Sequence, residues 1–170
     1  MSIRGMLPPP MATELPSRPG CTSRPYRLAI VASEYHEQYV EGLIRFARQE
    51  FAAIAPAASV NVFRVPGSFE LALGVDRVAA AQNPDAVIAF GVIFEGETLH
   101  ASLIAESVTA SLLQTGIRYA IPVFHEILVV KTHEQARARC LDEKLNRGIE
   151  AARATVRMLG ALAEMIERKP

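Results

Sequence analysis

His100 can move protons near neutral pH, and Gly96, Glu97 and Thr98 stand immediately before it. An apolar run, AVIAFGVIF at residues 86–94, stops at Glu95, and a long amphipathic stretch follows the histidine. That is the layout of a strand feeding a turn and then a helix. If Gly96-Glu97-Thr98 opens the helix, its free backbone N–H groups and the helix dipole form a seat for a phosphate or carboxylate. Thr98 also reads simply as an N-cap, and a first-turn histidine is often only a surface residue. No Gly-Lys-Ser/Thr follows, so the turn is not a nucleoside triphosphate loop.

A second turn, Pro66-Gly67-Ser68-Phe69-Glu70, offers N–H groups, a hydroxyl and a carboxylate at the end of another strand. Its plain reading is a Pro-Gly turn with Ser68 as a cap. Tyr35 follows the first strand and could give a ring face to a planar heterocycle, or merely be half-buried. Arg139 lies in the polar stretch THEQARARC, where an arginine is either solvated or the partner of a phosphate. His36, His100, His125 and His133 are not spaced as ligands on one element, and Cys21 and Cys140 lie far apart. No metal site is expected.

The elements that must position these groups alternate. Strands are expected at 27–32, 59–65, 86–94 and within 119–130. Helices are expected at 37–54, 68–81, 98–115, 132–140 and 145–166. The third helix should bury a stripe of Leu99, Leu103, Ile104, Val108 and Leu112, and end at Gly116. Such alternation predicts a four-stranded parallel sheet with helices on both faces, binding ligands at the carboxyl ends of its strands. Residues 1–25, with three consecutive prolines at 8–10, read as a flexible arm before one domain at 26–170.

Composition excludes more than it assigns. The chain has 170 residues, 18 basic and 18 acidic, and no net charge, so nothing global points to nucleic acid or an anionic membrane. Two distant cysteines fit a reducing cytoplasm, and the arm has no apolar core for a secretory signal. No apolar run is long enough to span a membrane.

Four blocks in order, VASEYHE (31–37), VPGSFELAL (65–73), FGVIFEGETLH (90–100) and PVFHEILVVKTHEQARAR (122–139), then NRGIEAA (146–152), give a collective signal. Together they resemble the lumazine synthases of riboflavin biosynthesis. The resemblance implies a flavodoxin-like three-layer α/β/α sandwich, assembled as pentamers or multiples of pentamers with active sites between subunits. It implies condensation of 5-amino-6-(D-ribitylamino)uracil with 3,4-dihydroxy-2-butanone 4-phosphate, without cofactor or metal. It implies His100 as general acid/base and Tyr35 as the aromatic over the pyrimidine. Ser68, Phe69 and Glu70 would hold the ribityl chain, and Val92, Ile93 and Phe94 would read the uracil edge. Gly96, Glu97 and Thr98 would seat the butanone phosphate, with Arg139 and His125 arriving from a neighbouring subunit.

The chain also departs from that pattern. It has Glu34-Tyr35-His36 where the family often has Arg-Phe-Asn, and Phe94-Glu95-Gly96 for Ile-Arg-Gly. It has His125-Glu126 for Phe-Gly, His100-Ala101-Ser102 for a histidine with an aromatic after it, and Glu143 where a basic residue is common. An acidic Glu95 lowers the positive potential near the phosphate seat. A divergent paralogue that binds flavin or lumazine for storage or sensing is therefore the alternative. An electron carrier or receiver domain is discounted, because the third strand ends in Phe94-Glu95-Gly96 without the phospho-acceptor aspartate a receiver needs.

Overall fold

A computed structural model of the chain describes residues 14–167. The elements run β1 (Arg27–Ser33), α1 (Glu37–Ile54), β2 (Ser59–Val65), α2 (Leu71–Gln82), β3 (Ala86–Phe94), α3 (His100–Tyr119), β4 (Val123–Val130), α4 (His133–Cys140) and α5 (Arg147–Glu167). The four strands are all parallel, in the order β2-β1-β3-β4. Each alternate residue of a strand points to the opposite face, so one run can feed two cores. In β1, Leu28, Ile30 and Ala32 pack toward α1, α4 and α5, while Ala29 and Val31 pack toward α2 and α3. In β3, Ile88, Phe90 and Val92 join the first core, and Val87 and Ala89 the second. The result is a three-layer α/β/α sandwich, with the strand order of the flavodoxin-like sheets.

The close packing of α1 on α5 explains part of the NRGIEAA block. A Cβ at Gly148 would come within 2.2 Å of the Leu43 carbonyl oxygen, so only glycine lets the two backbones meet. Asn146 is fully buried and caps α5: its Oδ1 accepts from the N–H of Gly148 at 2.9 Å and of Ile149 at 3.3 Å. Its Nδ2 donates to the carbonyls of Cys140 at 3.0 Å and Asp142 at 3.1 Å, tying the end of α4 to the start of α5.

The boundaries of α2 and α3 differ from the sequence expectation by up to four residues. α2 starts at Leu71, leaving Ser68, Phe69 and Glu70 in the turn before it. α3 starts at His100, with Leu99 rather than Thr98 in the capping position. It also runs past Gly116 to Tyr119, because Ala120 takes the left-handed conformation, at φ 53°, that closes the helix. The buried stripe of α3 is turned as well: Ala101, Val108, Leu112 and Thr115 are buried, while Leu99 and Leu103 are exposed.

The start of the Pro-rich arm lies outside the described residues. From residue 14 the segment follows α1 and α5. The carbonyl of Pro16 accepts from Arg153 at 2.6 Å, and the N–H of Thr22 donates to the Ile54 carbonyl at 2.9 Å. Arg18 grips Glu50 with two bonds of 2.7 and 2.8 Å, and Arg153 donates to the same carboxylate at 2.7 Å. Burial alone would raise Glu50, but hydrogen bonds and charges from the two arginines outweigh it and hold the carboxyl below its ordinary range. Where flexibility was expected up to residue 25, this stretch is pinned at several points.

Candidate active site

A cleft of about 710 Å³ opens at the carboxyl ends of β1, β2 and β3. Tyr35 and His36 enter it from the β1–α1 turn. That turn is tied to the end of β2 by the N–H of Glu34 on the Val65 carbonyl (2.9 Å) and of Tyr35 on the Pro66 carbonyl (3.3 Å). Gly67, Ser68, Phe69 and Glu70 form the next wall, and Val92, Ile93 and Phe94 end β3 at the floor. Ser68 is buried against Gly91: a Cβ there would meet the serine hydroxyl at 2.8 Å. A glycine in the strand thus lets the serine turn settle onto the sheet.

His100, Leu103, Ile104 and Ser107 close the cleft from α3. Their spacing of three, four and seven puts them on one helix face. The first-turn N–H groups of α3 lack intrahelical partners; that of His100 reaches the Thr98 hydroxyl at 3.5 Å, and no side chain of Leu99 caps the others. The helix start lies one to two residues further along than the sequence places it, at His100 itself. Tyr35 is 69% exposed and Phe69 59% exposed, so both rings stand at the mouth without a cover in the single chain.

Of the sequence candidates, Tyr35, Ser68, Phe69, Glu70, Val92, Ile93, Phe94 and His100 meet in this cleft. His125 and Arg139 do not. They line a second cavity of about 520 Å³ beside β4, together with Glu95, Lys131, Gln135 and Arg147. Gly96, Glu97 and Thr98 line neither cavity; they form the exposed connection between β3 and α3. Consecutive residues thus divide the two: Phe94 faces the first cavity and Glu95 the second.

The second cavity is rich in cations. Lys131 is paired with Glu95 at 3.5 Å, and Arg147 with Glu126 at 3.0 Å and Glu150 at 2.6 Å. Among the described residues Arg139 makes no ion pair. Glu126 is buried, and burial pushes its carboxyl up to about 7 against the pull of Arg147. His125 is held below the ordinary histidine range by burial, and secondarily by the charge of Arg147. Its Nε2 lies 2.8 Å from the Thr109 hydroxyl, which gives its own proton to the Ala105 carbonyl at 2.6 Å. The hydroxyl has no second proton, so Nε2 of His125 must be the donor.

The sequence reading missed His36, Leu103, Ile104 and Ser107. The last three carried a signal, their spacing from His100. They were overlooked because Leu103 and Ile104 were assigned to the core. His36 carried only the general signal of the segment 33–36 after the first strand; its own placement depends on a left-handed backbone at φ 59°. Among the described residues no group of three or more His, Cys, Asp or Glu is arranged to hold a metal ion, and no helix is long and apolar enough to cross a membrane.

Comparison with known proteins points to one family. Similar chains, each named 6,7-dimethyl-8-ribityllumazine synthase, come from distant organisms. The protein of Stenotrophomonas maltophilia (strain R551-3) is 33% identical over 140 residues, covering 82% of this chain and 90% of that one. That of Halorhodospira halophila is 36% identical over the same shares. That of Pyrococcus furiosus is 34% identical over 83% of this chain and 88% of that one. Among solved structures, an acetyl xylan esterase at TM-score 0.38 and 13% identity, covering 81% of this chain and 74% of that one, is too distant to carry an argument. The model of the 6,7-dimethyl-8-ribityllumazine synthase family matches residues 25–163, nearly all of the described chain, and the chain belongs to that family.

Proposed function

We propose that the chain condenses 5-amino-6-(D-ribitylamino)uracil with 3,4-dihydroxy-2-butanone 4-phosphate, giving 6,7-dimethyl-8-ribityllumazine, phosphate and water. One observation carries the reading of the site: the chain has two complementary half-sites on either side of the β3–β4 boundary. The cleft offers ring faces, a hydroxyl, a carboxylate and His100, but no arginine or lysine lines it. The cavity offers Arg139, Lys131 and Arg147, and no proton carrier next to a free helix start.

The chemistry needs both. The pyrimidine amine attacks the ketone, and water leaves as the imine forms. A carbon-bound proton is then lost and phosphate departs as an anion. The ribityl-bearing nitrogen closes the second ring, and a further water leaves. In this reading His100 takes and returns the protons. Tyr35 stacks on the pyrimidine, while Ser68, Phe69 and Glu70 hold the ribityl chain. Val92, Ile93 and Phe94 present the strand end to the uracil edge. Gly96, Glu97 and Thr98, with the free N–H groups of early α3, receive the phosphate, and Arg139 of a neighbouring subunit meets its charge. His125 of that neighbour covers the pyrimidine. Holding two substrates in contact supplies much of the remaining acceleration.

The reading requires self-association. β4 is an edge strand, Val129 on it is 43% exposed, and its cavity opens beside that edge. A second copy covering it would bring the cations to the open mouth marked by Tyr35 and Phe69. Pentamers or multiples of them are the assemblies proposed. Both cysteines are free thiols, which supports a reducing cytoplasm as the place of work.

The test is turnover followed by lumazine fluorescence against the uncatalysed background. Acceleration by the unsubstituted chain that is lost in His100→Ala supports the assignment. No acceleration over background overturns it.

A further inference from the structure

Two of the departures noted in the sequence, His36 and Phe94, are neighbours in space, and a second histidine joins them. The ring of Phe94 has His36 at 4.8 Å between centroids and His133 at 4.7 Å, both tilted. Tyr39 lies 5.9 Å from Phe94, is buried, and its hydroxyl is hydrogen-bonded to Nδ1 of His133 at 2.9 Å. His36 and Phe94 line the cleft, whereas His133 and Tyr39 do not. The cluster joins the first residue of α4 to the start of α1 across the end of β3.

We propose that His133 is a positioning residue of the cleft: anchored by Tyr39, it braces the Phe94 ring from behind, and Phe94 fixes His36 on the substrate side. The four rings then form one wall against which a planar heterocycle lies. This rests on the reading of the cleft as the pyrimidine site. Tilted ring pairs at these separations are each worth a measurable preference beyond simple burial, so removing one should loosen the next. The hydrogen bond to Tyr39 fixes the His133 ring plane, which an isolated exposed histidine would not hold. His133 from α4 and Tyr39 from α1 are the titratable groups packed on this side of Phe94 and His36. Burial, and secondarily repulsion from His133, keep His36 below the ordinary histidine range. That shift favours the neutral imidazole, which can accept as well as donate a hydrogen bond.

The experiment compares His133→Leu, His133→Phe and Tyr39→Phe with the unsubstituted chain, in steady-state turnover with each substrate varied. His133→Leu should raise KM for the ribitylaminouracil about three- to tenfold, with the loss falling on KM and not on the KM of the butanone phosphate. His133→Phe, which keeps a ring, should recover most of that loss, and Tyr39→Phe should lose less. An unchanged KM for the ribitylaminouracil in His133→Leu overturns the proposal, as does an equal rise for both substrates. A readout without substrate separates this from failure of the functional reading. In His133→Leu the His36 imidazole, followed by NMR, should titrate at higher pH because the repulsion is gone. If the unsubstituted chain turns nothing over, the functional reading fails, and an unmoved His36 titration then overturns the wall as well. Should His133→Leu not fold, His133→Phe keeps a ring and removes the same charge, and the same titration decides.

Discussion

The two cavities lie on either side of one strand boundary and are built on opposite principles. The cleft at the ends of β1, β2 and β3 is walled by aromatic and aliphatic side chains, with few polar groups among them. The cavity beside β4 is walled by extended backbone and by long charged side chains, several already engaged with carboxylates. The first suits a flat, uncharged ring. The second suits an anion. In the proposed function, the groups assigned to the ring and the arginine assigned to the phosphate face different openings, which is why that reading calls on a second copy of the chain.

The sharpest way to break that comparison is through His100. If the cleft is where protons move, His100→Ala should lower kcat by about 10²–10⁴-fold while lumazine still binds, because only the proton-transfer group has gone. Turnover within a fewfold of the unsubstituted chain would shift the chemistry elsewhere.

A comparably large effect concerns stability, and contrasts the second cavity with the clasp on the arm. Glu50 and Glu126 are both buried carboxylates facing arginine. Glu50 has two arginine partners and its folded-state pKa is lowered. Its stabilisation is present above the ordinary carboxylate range and is lost as pH falls through the folded value. Glu126 shares one arginine with Glu150, and its folded-state pKa rises to about 7 from 4.5. The folded state then holds a proton that the unfolded state has released, so this group's contribution falls as pH rises from about 4.5 to about 7. The loss should be roughly 3 kcal/mol over that window. Urea unfolding at several pH values should show this slope in the unsubstituted chain and lose it in Glu126→Gln. Parallel curves for the two would mean that the second cavity holds its charges without cost.

Arg139 tests the anion side directly. Arg139→Ala should raise KM for the butanone phosphate by about 10–100-fold, the loss expected for a charge-assisted hydrogen bond, and leave KM for the ribitylaminouracil nearly unchanged. An equal rise in both would show that the two openings are not chemically separate.

How much of this was legible in the sequence depends on what each residue needed. β1 and β3 were read almost to the residue, because both are buried on both faces and so appear as unbroken apolar runs, whereas β4 was placed only within 119–130. The cleft residues on strand ends followed from the parallel-sheet rule. The orientation of α3 did not: Leu99 and Leu103 look like core residues by spacing alone, yet both are exposed and Leu103 lines the cleft. Nothing in periodicity says which of two adjacent apolar stripes meets the sheet. The separation of His125 and Arg139 from His100 was implied only by the family resemblance, and no spacing shows it, since the division runs between the adjacent residues Phe94 and Glu95. The pinned arm depended on Glu50, a carboxylate inside a helix whose partners lie 32 and 103 residues away.

The smallest expected effect lies in the contact between α3 and β4 that fixes His125. Thr109 gives its proton to Ala105, which leaves it only an acceptor for the imidazole and fixes the His125 tautomer with the proton on Nε2. Thr109→Val keeps the shape of the side chain and removes that acceptor. Both side chains are exposed, so water takes the place of the lost partner, and stability should fall by less than about 0.5 kcal/mol. With Nε2 no longer held, the other tautomer becomes available, and the ring can turn within the second cavity. The ring carbons of His125 should therefore change their NMR shifts in the direction of the Nδ1-protonated form, while those of His100 in the first cleft stay where they are. A change at both histidines would join the two cavities into one coupled unit. No change at His125 would mean that the tautomer is set by something other than Thr109.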